Sequence, residues 1–370
     1  MLDKKRILFI GVGACGAKII DEIRERDARY ATLYINTSIK DVEPRKYADL
    51  ETNVYCIPSA DGTGKNRDKA KEYAKDYFVS IIDTIKRYKT HNIIYLVTST
   101  GGGSGSGLTP MIIKMLKRAC PDKIINLVAV KASSKDSKRA IENTIEFWND
   151  MTVVNNLINA KIYLDNDKDE EENINKQFAR DLDDAISLAS GSDTNVIDET
   201  DLENVMTAKG GLTILRLNEE YAENAEFAIQ KAIKDSIYVE PVEEDCKYLC
   251  VSLRDEIFNI EEIKNQYYAE EDIFISVNQR DNLVVVSGTP LPKLMIEMLN
   301  EELKDREVEA QQRREKREKK EKELIIEMSK SKKETKSVKH EIKEDKIKSN
   351  GSSSEIEDLF SDGFFDDLMK

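Results

Sequence analysis

The chain has 370 residues, 40% of them apolar, which is enough for about two domains with real cores. Its 35% charged residues and mean hydropathy of −0.54 require a long solvated segment as well, and its net charge of −14 excludes a nucleic-acid surface over the body of the protein. No apolar run approaches the ~20 residues that span a bilayer, so no membrane association is expected. The five scattered cysteines, Cys15, Cys56, Cys120, Cys246 and Cys250, exclude a disulfide framework. With no signal-peptide pattern, they point to a reduced, cytoplasmic protein. His91 and His340 are the only histidines, which leaves little room for histidine-based catalysis.

The first predicted elements are a buried strand, Ile7 to Ile10, and a helix from about Ala17 to Arg26. Between them Gly11, Gly13 and Gly16 spell G-x-G-x-x-G, the dinucleotide fingerprint in its proper strand-to-helix context. That fingerprint also needs an acid about 20 residues on, yet the second strand, Thr32 to Ile35, ends in Asn36-Thr37-Ser38. A third strand, Val54 to Pro58, leads into Ser59-Ala60-Asp61-Gly62-Thr63-Gly64-Lys65-Asn66-Arg67, which alone reads as a glycine turn. A helix is expected from there to about Lys89.

The strand Asn92 to Val97 then runs into Thr98-Ser99-Thr100-Gly101-Gly102-Gly103-Ser104-Gly105-Ser106-Gly107. A helix over Leu108 to Ala119 follows, with Pro110 expected in its first turn, where proline is tolerated. Glycines at a strand end let backbone N–H groups close on an anion, and the helix behind them presents its positive end. This is a phosphate cradle, but not a Walker A loop, because it has no terminal lysine. Further strands are predicted at Lys123 to Val130 and Ala160 to Leu164, with a helix between them through Trp148. Such alternation predicts a parallel sheet with helices on both faces and its functional loops at the carboxyl ends of strands.

The loop at 101–107 resembles the Gly-Gly-Gly-Thr/Ser-Gly-Ser/Thr-Gly signature of the tubulin/FtsZ family, and the other glycine loops fall where that family places its nucleotide contacts. The resemblance implies GTP/GDP with Mg²⁺ as the ligand, and no protein metal-ligand set. The implied nucleotide contacts are Gly11, Gly13, Ala14, Cys15, Gly16 and Asn36, then Gly62, Gly64 and Lys65, and then Gly101, Gly102, Gly103, Ser104, Gly105 and Ser106. Lys65 or Arg67 is expected to offset phosphate charge. Asp136 and Arg139 match the ribose-side acid and base, Asn166 and Asp167 match part of a Pro-Asn-Asp, and Asn175 holds the guanine position near the start of a helix from about 173 to 189. Residues Val196 to Met206 are similar to the family's acid loop, with Asp198 and Asp201 on its two acids. In the family these serve the nucleotide of the neighbouring subunit. Read without the resemblance, the same acids are helix caps.

Beyond the acid loop the pattern changes to mixed strands and helices. Strands are expected at Leu212–Leu217, Tyr248–Leu253, Asp272–Val277 and Asn282–Gly288, the last two joined as a hairpin through Asn278 to Asp281. A long helix from about Pro292 to Met328 becomes almost wholly charged, and a lysine-rich and then acidic, phenylalanine-bearing tail follows, expected to be disordered. The fold class is α/β: a nucleotide-binding domain over 1–206, an α+β domain over 207–291 reached by the central helix, an extended helix over 292–328 and a tail over 329–370. Within the family the motifs are most like the TubZ branch, which implies a filament-forming GTPase that assembles head to tail. It also implies coupling to plasmid or phage DNA through an adaptor like TubR, docked on the tail. A division protein of the FtsZ type, a nicotinamide-dependent oxidoreductase and a non-hydrolysing nucleotide-binding scaffold are the alternatives.

Overall fold

A computed structural model describes residues 2–188, 197–239, 245–255, 257–277, 280–290 and 292–331. Val196 and the tail beyond Ser331 lie outside the described residues. The chain divides into two compact units between Leu303 and Lys304.

The first unit is built on one ten-stranded sheet. In chain order its strands are β1 (Ile7–Val12), β2 (Ala31–Asn36), β3 (Val54–Cys56), β4 (Ile93–Ser99), β5 (Ile124–Lys131), β6 (Ala160–Asp165), β7 (Gly210–Arg216), β8 (Asp245–Ser252), β9 (Tyr268–Ser276) and β10 (Leu283–Thr289). Their spatial order is β3-β2-β1-β4-β5-β6-β7-β10-β8-β9. The first seven run parallel. β10 is antiparallel to both β7 and β8, and β9 returns parallel to β8. Every residue of β1 is buried, and β4 and β5 are buried along nearly their whole length, as strands covered on both faces must be.

The helices are α1 (Gly13–Arg26), α2 (Arg67–Asp76), α3 (Phe78–Lys86), α4 (Ser104–Ala119), α5 (Lys138–Val154), α6 (Glu171–Ile186), α7 (Glu199–Thr207), α8 (Ala225–Asp235), α9 (Ile260–Lys264) and α10 (Lys293–Ser331). The single helix expected over 67–89 is broken at Tyr77, which leaves the helical backbone region and divides it into α2 and α3. α6 covers 171–186 instead of 173–189.

The expected hairpin between β9 and β10 does not form. β8 lies between them, so β9 pairs only with β8 and becomes the edge of the sheet. Its exposed stretch carries Glu270, Glu271 and Asp272. At the other edge β3 has three residues.

Among the described residues the two halves of the sheet join through two register pairs, Ala160 with Gly210 and Lys161 with Gly211. Gly210 has φ +138, and a Cβ there would stand 2.6 Å from the carbonyl carbon of Gly288, so the narrow junction requires glycine. One core lies beneath β1, β4, β5 and β6 with α1 and α6; a second joins α8 and α9 to the faces of β8 and β10. Arg216 of β7 ties α6 to the second half, 2.9 Å from Asp181, 2.7 Å from Asp184 and 2.7 Å from Asp281.

Candidate nucleotide-binding site

Four loops at the carboxyl ends of β1, β2, β3 and β4 converge on Ser104, the first residue of α4. Its Oγ lies 2.6 Å from Thr37 Oγ1 and 3.2 Å from Thr63 Oγ1. The β1 and β4 loops are in backbone contact. A Cβ on Gly16 would sit 2.1 Å from the Val97 carbonyl oxygen, and one on Gly105 would sit 2.7 Å from that of Val12. Gly13 adds a φ of +77 beside the Gly105 nitrogen. α4 starts at Ser104, within the glycine run and four residues before its expected start. Gly103 at its N-cap makes no side-chain cap bond, so the first N–H groups and the positive end of a 16-residue helix face the cradle.

Asn36 fits the same ligand. Its Oδ1 accepts the Thr37 N–H at 2.8 Å and the Ser38 N–H at 3.3 Å, while its buried Nδ2 has no protein partner. A dry, unused donor in a phosphate cradle suits a nucleotide oxygen. Ala14 is exposed at the mouth of the first loop, and Cys15 is partly buried behind it. Burial, with the Glu171 carboxylate nearby, pushes the Cys15 thiol up to about 12, so it stays protonated and does not act as a nucleophile.

In the third loop Gly62 (φ +76), Gly64 (φ +58) and Lys65 (φ +64) turn through the left-handed region with open space around both glycines. The loop is stapled to α5. Asn143 Nδ2 donates to the Lys65 carbonyl at 3.0 Å and to the Gly101 and Gly102 carbonyls at 3.0 and 3.2 Å. Arg139 Nε reaches the Lys65 carbonyl at 3.4 Å, and Lys65 Nζ reaches Ser137 Oγ at 3.1 Å. Sequence reasoning missed Asn143, whose place in an amphipathic helix carries no signal of its own.

Arg67 does not offset phosphate charge as expected. It is 1% exposed, bonds Ser106 at the start of α4, and has its charge paired with Glu146 and Asp150 of α5. Pro110 is the seventh residue of α4, in its second turn and not its first.

On the far side of the cradle, Asp136 accepts the Ser133 N–H at 3.0 Å. Asp167 gathers Lys131 Nζ at 2.6 Å, Ser133 Oγ at 2.6 Å and the Ser134 N–H at 2.8 Å. Partial burial opposes its ionisation, but Lys131 and the Ser133 hydroxyl outweigh it and hold the carboxyl at about 2. Asn166 has a buried Oδ1 without a partner. Asn175, buried, is the fifth residue of α6, too far in to serve as a cap. Among the described residues no three His, Cys, Asp or Glu side chains come together as a metal-binding group, and Cys246 and Cys250 are buried free thiols pushed up by burial to about 11 and about 12.

Asp198 and Asp201 stand apart from all of this. Asp198 is the N-cap of α7 and Asp201 its N3 residue, and together they form a capping box, with Asp198 Oδ1 2.7 Å from the Asp201 N–H. α7 lies along the amino ends of the strands. Arg6, just before β1, binds Glu199 at 3.2 Å and Glu203 at 2.8 Å. Asn126 near the start of β5 and Asn159 just before β6 donate to the carbonyls of Met206 and Thr207.

Residues 6–171 match the model of the tubulin/FtsZ family GTPase domain. The tubulin-like protein TubZ of Clostridium botulinum C phage is 33% identical over 316 residues, covering 84% of this chain and 86% of that protein. The structure of Clostridium botulinum phage c-st TubZ with its C-terminal tail truncated superposes with a TM-score of 0.76 at 31% identity, over 83% of this chain and 99% of that one. A GTPγS-form protofilament of Bacillus thuringiensis serovar israelensis TubZ shares the fold, with a TM-score of 0.74 at 15% identity, over 86% of this chain and 94% of that one. The oxidoreductase alternative falls here, since the family match covers the same glycine loops. The chain belongs to the tubulin/FtsZ family of GTPases, on its TubZ-like branch.

Proposed function

We propose that the chain binds GTP in the cradle around Ser104 and hydrolyses it only when a second copy docks head to tail and brings Asp198 and Asp201 to the γ-phosphate. The placement of α7 carries this reading. The acids are held at the amino end of β1 through Arg6, while Gly11 to Gly16 lie at its carboxyl end. Six strand residues at ~3.3 Å each put about 20 Å between them. No side chain of one subunit bridges that distance, but a subunit stacked end to end does. Such contacts are heterologous and need not close, so they propagate as a filament.

In this reading the backbone N–H groups of Gly101 to Ser106 and the positive end of α4 hold the phosphates, and Asn36 Nδ2 donates to a nucleotide oxygen. Asn175 and Asn166 face the base, with guanine preference resting on the family match at Asn175. Asp136 and Arg139 take the ribose side. Mg²⁺ would accompany the phosphates and offset their charge. An acid of the neighbouring subunit orients a water, whose oxygen bonds to the γ-phosphorus as the bond to the β-bridging oxygen breaks and GDP keeps the electron pair. The filament is cytoplasmic, and the tail couples it to plasmid or phage DNA through an adaptor like TubR.

Phosphate release measured against protein concentration, alongside light scattering, tests the reading. The rate per subunit should rise steeply above the concentration at which scattering appears. A rate per subunit that is constant down to monomer dilutions would refute it, and no hydrolysis at any concentration would favour a nucleotide-binding scaffold.

A further inference from the structure

α4 carries a proline where it costs a hydrogen bond. Pro110 has no N–H, so the Ser106 carbonyl four residues earlier loses its helical donor, and the ring presses on that same carbonyl. Ser106 is fully buried, so water does not replace the donor. Arg67 does. Its Nη2 donates to the Ser106 carbonyl at 3.2 Å and its Nε to Ser106 Oγ at 3.1 Å. Ser106 Oγ in turn donates to the Gly102 carbonyl, inside the glycine run. The outer edge of the guanidinium is held by α5, with Nη1 3.0 Å from Glu146 and Nη2 2.5 Å from Asp150.

The backbone is matched to this arrangement. A Cβ on Gly107 would meet the Arg67 carbonyl oxygen at 2.7 Å, so glycine there lets the start of α2 lie directly on α4. One buried side chain thus links the third loop, the first turn of α4 and α5. A lysine could pair with the acids, but a single ammonium cannot also give two donors in the plane that Ser106 presents.

We propose that Arg67 is a positioning residue of the phosphate cradle: it supplies the Ser106 carbonyl with the donor that Pro110 withholds, and so sets the first turn of α4 against Gly102. This rests on the nucleotide reading above. An ordinary residue at 110 would give the Ser106 carbonyl its donor along the helix axis, and the first turn of α4 would then hold without Arg67.

The test is a double-mutant cycle in the full chain, reading the affinity for a fluorescent GTP analogue and the melting temperature without nucleotide. Arg67→Lys should weaken binding by about tenfold or more, and Pro110→Ala alone should change it by less than about twofold. Pro110→Ala placed in the Arg67→Lys chain, by restoring the N–H to Ser106, should recover most of the loss. Effects that simply multiply, or an Arg67→Lys chain that binds normally, would overturn the proposal. If Arg67→Lys does not fold, Arg67→Gln replaces it in the same cycle, with weakened binding that Pro110→Ala restores expected and unchanged binding counting against. Failure of the wild-type chain to bind the analogue would instead overturn the nucleotide reading, and the proposal with it.

Discussion

The guanidinium of Arg6 and the carboxylate of Glu203 lie 2.8 Å apart, and through that pair α7 is fastened to the amino end of β1. The two acids of the capping box therefore have a structural task in their own subunit and, in the proposed reading, a chemical one in the next. The tasks can be separated. Asp198→Asn and Asp201→Asn keep an oxygen for the cap and remove only the charge. Turnover should fall by roughly 10²–10⁴-fold with GTP binding and melting temperature preserved. Asp198→Ala should in addition lose about 1 kcal/mol of stability with the cap. Phosphate release and thermal unfolding read both, and normal turnover in both Asn variants would leave the acids as caps alone.

Gly105→Ala addresses the cradle itself. Its new Cβ would stand 2.7 Å from the Val12 carbonyl oxygen and 2.4 Å from Thr98 Oγ1, so the β1 and β4 loops must part. GTP affinity should drop by about tenfold or more, on the order of 1.4 kcal/mol. Calorimetry giving wild-type affinity would contradict the close approach.

The same two defects should complement each other. An Asp201→Asn subunit keeps its nucleotide loops, and a Gly105→Ala subunit keeps its acids. Mixed at equal concentration, they should hydrolyse GTP faster than the sum of either alone, since every contact that sets the acids of a Gly105→Ala subunit on the nucleotide of an Asp201→Asn subunit rebuilds one complete site. A strictly additive rate argues against catalysis across subunits.

Lys161 offers a test by pH. It is 4% exposed, and among the described residues its ammonium reaches the Asn159 carbonyl at 3.4 Å. Burial, reinforced by the charge of Lys209, lowers its pKa to about 8. A lysine pKa depressed in the folded state means the unfolded chain binds more protons between pH 8 and about 10.4, so stability rises with pH across that window. Lys161→Met should stabilise the protein by about 1–3 kcal/mol at pH 7, and the gain should shrink from pH 8 to pH 10. Denaturant midpoints at both ends check it; a gain independent of pH would mean that Lys161 is not carrying a buried charge.

Truncation before Ser329 should spare GTP hydrolysis and polymerisation and abolish capture of an adaptor–DNA complex in a pull-down. Capture at normal affinity by the truncated chain would shift the coupling surface to the charged part of α10. The acidic tail with Phe360, Phe364 and Phe365 lies outside the described residues.

The nucleotide end of the fold was legible because its signals are local. Continuous apolar runs become β1, β4 and β5, and glycines at their ends become the loops. Packing decisions were not legible. Arg67, charged and set in a glycine turn, reads as surface until Pro110 on another element leaves Ser106 without a donor. α4 starts inside the glycines because the N–H of Gly107 bonds the Gly103 carbonyl at 3.0 Å, which composition does not reveal. Alternation over 272–277 and 282–288 marks two strands but not their partners, and β8, which ends at Ser252, enters between them.

A protein that stacks as proposed has to restrict the direction in which it stacks. Among the described residues the edge of its sheet is β9, a nine-residue strand whose one strand neighbour is β8, the kind of surface on which a second chain can zip up sideways. Glu270, Glu271 and Asp272 lie along that flank, and two such flanks brought together would set like charges against one another at strand spacing. The opposite flank, β3, is too short to template anything. In the proposed filament growth runs through the ends of the subunit, and three carboxylates obstruct the lateral route toward aggregates.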